Sequence, residues 1–87
     1  MSAPRGADSA RVVVYTRPGC HLCEEAEYLV GDVCTASGDS YDFIDITGDD
    51  DLERRFTDEV PVIFVDGKQH DFWRVDVERL RNALNRT

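Results

Sequence analysis

Cys20 and Cys23 stand where one hydrophobic period gives way to another. Before them runs Arg11-Val-Val-Val-Tyr-Thr16, β-branched and apolar on both parities, as a strand covered on both faces requires. Pro18-Gly19 breaks the run. After the pair, Leu22, Ala26, Leu29, Val30 and Val33 recur at the spacing of one helical face, from His21 to about Ala36. A Cys-x-x-Cys at such a junction demands a buried strand with a helix folded back across it, and it puts the thiols at the helix N-terminus. On these residues alone the pair can bind a metal, staple a loop or exchange electrons.

The remaining pattern completes a small domain. Cys34 extends the apolar face of the first helix and is expected to be a buried structural cysteine, with Gly38 ending that helix. Tyr41–Ile46 reads as a second strand. Thr47–Phe56 reads as a short helix or turn with an acidic start, its Leu52 and Phe56 turned to the core. Val62–Val65, the Asp66-Gly67 turn and the return Lys68–Trp73 predict a hairpin. In its second arm one of Phe72 and Trp73 is expected to fill the core and the other to mark a partner surface, with His70 solvated. A last helix starts near Asp76, a capping residue, with Val75 stapled onto Leu80.

The order is β-α-β-α-β-β-α. It predicts one α/β domain over residues 11–87, with a four-stranded mixed sheet and helices on both faces. The first two strands should be parallel through a right-handed crossover. Residues 1–10 read as a flexible N-terminal arm.

Charge and composition narrow the function. With 18 acidic and 10 basic residues the net charge is −8, which argues against nucleic acid, whose binding rests on neutralising phosphates. Arg74, Arg79, Arg81 and Arg86 alternate with apolar positions and read as a solvated helix face. The acidic Gly48–Asp51 turn lacks the ligand spacing of a calcium loop. No apolar run is long enough to cross a membrane, and the N-terminus has no hydrophobic signal region. Three cysteines are too few, and too odd in number, for a secreted disulfide scaffold. A cytoplasmic monomer is expected.

A helix N-terminus supplies unpaired amides and a positive partial charge, so a cysteine placed there favours its thiolate. Cys20 occupies the cap and Cys23 the first turn, close enough for a reversible disulfide. Cys20, the more exposed, is expected to attack and Cys23 to resolve. A protonated His21 would add positive charge beside Cys20, while Glu24 and Glu25 oppose it near Cys23.

Together, "VVVYT", "RPGCHLC", "EVPVIFVDGK" and the final helix resemble the glutaredoxin-like branch of the thioredoxin superfamily over about residues 11–86, and most of all the group labelled DUF836. The resemblance implies a thiol–disulfide oxidoreductase with catalytic Cys20 and Cys23. It also implies a cis peptide before Pro61, and substrate thiols pairing with the Val60 backbone. Arg17 stands where glutaredoxins often carry a Lys that meets a glutathione carboxylate. Asp76 stands at their acidic turn before the last helix.

The chain also departs from that pattern. Cys20-His21-Leu22-Cys23 replaces the usual Cys-Pro-Tyr-Cys, and Asp71-Phe72 replaces a Gly-Gly pair that admits glutathione. No cofactor is expected to be required, with glutathione kept open as a co-substrate. The partners expected are a protein or small-molecule disulfide and a separate reductant. Two other readings stand beside this one: an iron–sulfur or metal-binding module, and a thioredoxin-fold interaction domain without catalysis.

Overall fold

The computed structural model describes residues 10–85, with Phe72 described by its backbone alone. The expected N-terminal arm, Arg86 and the packing of the Phe72 side chain therefore lie outside the described residues.

Seven elements follow the predicted order: β1 (Val12–Thr16), α1 (His21–Ser37), β2 (Tyr41–Asp45), α2 (Asp50–Phe56), β3 (Val62–Val65), β4 (Lys68–Phe72) and α3 (Val77–Asn85). The sheet order is β2-β1-β3-β4. β1 pairs with β2 in parallel and with β3 antiparallel, and β3 pairs antiparallel with β4. β1 is buried along its whole length, as its two-faced apolar run requires.

Alternation along β1 and β3 divides the core in two. Val12, Val14, Ile63 and Val65 face Ala26, Val30, Val33 and Cys34 of α1 and Leu80 and Leu84 of α3. Val13, Tyr15 and Val62 face the opposite way, where Phe56 of α2, Ile46 and Val60 meet them. The ring of Phe56 stacks on Tyr15 at 5.0 Å. Burying each such side chain contributes about 1.5–3 kcal/mol.

Local chemistry sets the ends of the elements. The amides of Gly38 and Asp39 close α1 on the Cys34 carbonyl. Asp49 caps α2 through the amide of Leu52, and Asp76 caps α3 through that of Arg79. At the end of the sheet away from the cysteines, Arg11 bonds both Asp39 and Asp66, clasping the turn after α1 to the hairpin. Those bonds, after one from Ser37, hold the Asp39 carboxyl below the usual carboxylate range.

The hairpin departs from a regular ladder. Its turn has positive φ at Asp66 (53°) and Gly67 (83°), as a two-residue primed turn needs. Starting from the Val65–Lys68 pair, a regular register would set His70 opposite Ile63; instead Asp71 is opposite Ile63, and His70 is the extra residue of a bulge. The bulge corrects the expectation of a solvated His70. Its side chain is half-buried, its Nε2 lacks a hydrogen-bond partner among the described residues, and burial lowers its pKa, with nearby Arg79 acting in the same direction. The one-residue shift also moves everything beyond His70 to the other face of the sheet.

Candidate functional site

Gly19 takes φ 74°, a conformation that side chains resist, and this turns the chain sharply out of β1. Cys20 then enters the helix as its N-cap in extended geometry. Its sulfur accepts a hydrogen bond from the Cys23 amide at 3.1 Å. That amide and the positive end of α1 both favour a thiolate at Cys20.

The Cα atoms of Cys20 and Cys23 are 5.1 Å apart, and the sulfurs lie within disulfide distance. The two thiols are unequal. Cys20 is half-buried and lines an open cleft, whereas Cys23 is 1% exposed and packs with Tyr15, Phe56, Val60 and Val62. The third cysteine, Cys34, is fully buried in the other half of the core.

Burial first, and then Asp39, push the Cys34 thiol up to about 11 from 9.0. A thiol whose folded pKa is raised supports the fold below its unfolded pKa and loses that contribution as pH rises. Stability should therefore decline between about 9 and 11, and Cys34→Ala should flatten that part of the profile. The same burial should keep Cys34 silent to iodoacetamide in the native protein and open to it after unfolding. Mass spectrometry of the labelled chain with and without urea checks this.

The cleft has a volume of about 850 Å³. Arg17, Cys20, Val60 and Asp76, all singled out from the sequence, line it. Pro61 is buried behind Val60, and the Val60–Pro61 peptide is cis. His21 is not part of the lining. Its side chain is fully exposed, with Nδ1 4.0 Å from Glu24.

One expectation about these residues changes. The strand-like pairing expected of Val60 lacks its donor, because the Val60 N–H donates to the Phe56 carbonyl at 3.0 Å. Arg74 and Arg79 are exposed, as a solvated face requires, and both also line the cleft. Arg79 lies 3.8 Å from Asp71, and its backbone amide donates to Asp76.

Sequence reasoning did not place Asp58 or Trp73 in the site, whereas Asp71, noted as replacing a glycine of the glutathione groove, does line the cleft. Trp73 is 52% exposed on the cleft. It holds φ 68°, unusual for a bulky side chain and costing about 1–2 kcal/mol. Two hydrogen bonds secure it: its N–H donates to the Pro61 carbonyl at 2.9 Å, and its indole Nε1–H donates to the Asp58 carbonyl at 3.0 Å. The only available signal was the expectation that one of Phe72 and Trp73 is exposed and marks a partner surface.

Among the described residues, no cluster of three or more His, Cys, Asp or Glu side chains is arranged to hold a metal ion. Nor is any helix long and apolar enough to cross a membrane.

The chain is similar to known proteins. A family model for a glutaredoxin-like domain (DUF836) matches residues 11–85. An uncharacterised protein of Mycobacterium tuberculosis is 32% identical over 82 residues, spanning 88% of this chain and 84% of its own. Among solved structures, target protein XcR50 of X. campestris superposes with a TM-score of 0.71 at 27% identity, over 87% of this chain and 97% of its own. The holo form of glutaredoxin C1 from Populus tremula x tremuloides superposes with a TM-score of 0.51 at 25% identity, over 93% of this chain and 80% of its own.

Proposed function

Because the chain belongs to the glutaredoxin-like (DUF836) family, we propose that it is a thiol–disulfide oxidoreductase in which Cys20 attacks and Cys23 resolves. The inequality of the two thiols carries this reading. Cys20 faces the cleft with an amide on its sulfur, and Cys23 is sealed one helical turn behind it.

The chemistry balances as follows. The Cys20 thiolate displaces one sulfur of a substrate disulfide, forming a mixed disulfide and releasing one substrate thiolate. Cys23, deprotonated, then attacks the Cys20 sulfur, closes the Cys20–Cys23 bond and releases the second thiolate. Two electrons pass from the dithiol to the substrate, and the two protons of the dithiol end on the released thiols. An external reductant, either a small thiol or a dithiol protein, restores the pair by the reverse exchange. The burial of Cys23 suits it to resolve an enclosed intermediate and not to compete for incoming disulfides.

A redox titration tests the assignment. A Cys34→Ala variant, equilibrated in graded thiol–disulfide buffers and then trapped and weighed, should show one two-electron transition to a Cys20–Cys23 disulfide. The ratio of oxidised to reduced protein should change tenfold per about 30 mV. A glutathione adduct persisting on Cys20 would make glutathione the working co-substrate. A pair that stays reduced throughout, or titrates only after chelation, would replace exchange with metal binding.

A further inference from the structure

We propose that Trp73 sets the specificity of the cleft: its exposed indole is the surface on which an aromatic side chain, next to the reacting cysteine of a polypeptide disulfide, stacks. The inference rests on the exchange reading above and names the substrate class of that same site.

Trp73 shares the cleft with Cys20, and half of its surface is open. A backbone that disfavours a bulky side chain is fixed there by two hydrogen bonds, both to the segment leading into β3. Such a ring is held in place before the substrate arrives, so little conformational freedom is lost when a partner stacks on it.

The neighbouring backbone is already partly committed. The Val60 N–H is committed to Phe56 and the Pro61 carbonyl accepts from Trp73 itself, so strand-like pairing loses those groups. Side chains then carry more of the recognition, and the indole offers the large planar surface there.

The polar end of the cleft argues for a polypeptide over a small zwitterionic thiol. One oxygen of Asp76 is engaged as a helix cap, and Asp71 lies 3.8 Å from Arg79, so these carboxylates are partly engaged within the protein. The volume, about 850 Å³, is near the upper end for small-ligand sites and leaves room for an extended segment. Exposed Arg17 and Arg74 line the same cleft and disfavour basic residues in that segment.

Two disulfide-linked peptides, identical except for Phe or Ala beside the cysteine, test the proposal. The expected kcat/KM is roughly three- to tenfold higher for the Phe peptide, the range one aromatic pair supplies, and the difference should reside in KM. Trp73→Phe should keep the preference and Trp73→Leu should erase it. Trp73 is also the chain's sole tryptophan, so its emission reports binding without turnover. In Cys20→Ser protein, a Phe peptide with Ser in place of its Cys should shift that emission at several-fold lower concentration than the Ala peptide.

Equal kcat/KM for the two peptides, or a preference that survives in Trp73→Leu, overturns the proposal while leaving thiol exchange intact. If neither peptide is reduced but the emission still discriminates, recognition stands and the exchange reading falls. Should Trp73→Leu not fold, the wild-type kinetics and the emission titration decide between the same outcomes.

Discussion

Cys20→Ser should abolish the proposed disulfide exchange, lowering turnover by at least roughly a thousandfold, as loss of a nucleophile does. Cys23→Ser leaves the first half of the reaction in place and stops the second. The reason is the division of the pair between cleft and core. Only Cys20 faces incoming disulfides, with the Cys23 amide 3.1 Å from its sulfur, and Cys23→Ser keeps that backbone donor. The Cys23→Ser protein should therefore accumulate a mixed disulfide on Cys20 that is stable to gel electrophoresis without reductant. Mixing each variant with a fluorescent disulfide peptide and following both the released thiol and the trapped adduct checks the prediction. An adduct on Cys23 in the Cys20→Ser protein, formed at the wild-type rate, would reverse the assigned roles.

Phe56→Ala costs about 3–5 kcal/mol, the usual range for truncating a buried Phe. For a domain whose whole stability is of order 5–15 kcal/mol, that is a large share. Phe56 is 4% exposed, stacks on Tyr15 at 5.0 Å and meets Phe64 edge-on at 6.1 Å. It also belongs to the cluster that seals Cys23. Two readouts should move together. The melting temperature should fall by about 4–8 °C per kcal/mol lost, and Cys23 in the reduced protein should become open to alkylation. Leu52→Ala, on the same helix but only half-buried, should cost clearly less. A Phe56→Ala protein that melts like the wild type would mean that this half of the core is held by β1 and β3 without α2.

These predictions rest on features that differed in how far the sequence revealed them. The two-faced apolar run of Val12–Thr16 could be satisfied only by a central strand, so its place in the sheet was readable in advance. Helical spacing after His21, the Asp66-Gly67 turn and the capping residues Asp76 and Gly38 located the other elements, because each acts through neighbours a few residues away. The pairing of Cys20 with Cys23 was legible for the same reason: the spacing from cap to first turn is local geometry.

The wall of the cleft was not legible. Trp73, Cys20 and the Asp58–Pro61 stretch come from three separate segments, and nothing local records that they meet. The bulge at His70 decides which face Asp71 and the residues after it occupy, and a regular hairpin would have reversed them. The Val60 N–H was likewise read as open to substrate, until the end of α2 brought the Phe56 carbonyl to it. The sequence by itself determined the elements, their order and the cysteine pair, since periodicity, capping and turn chemistry act over a few residues. Only the tertiary structure decided what faces Cys20 across the cleft, because a one-residue change in strand register exchanges the faces of a sheet while barely altering the hydrophobic pattern that encodes it.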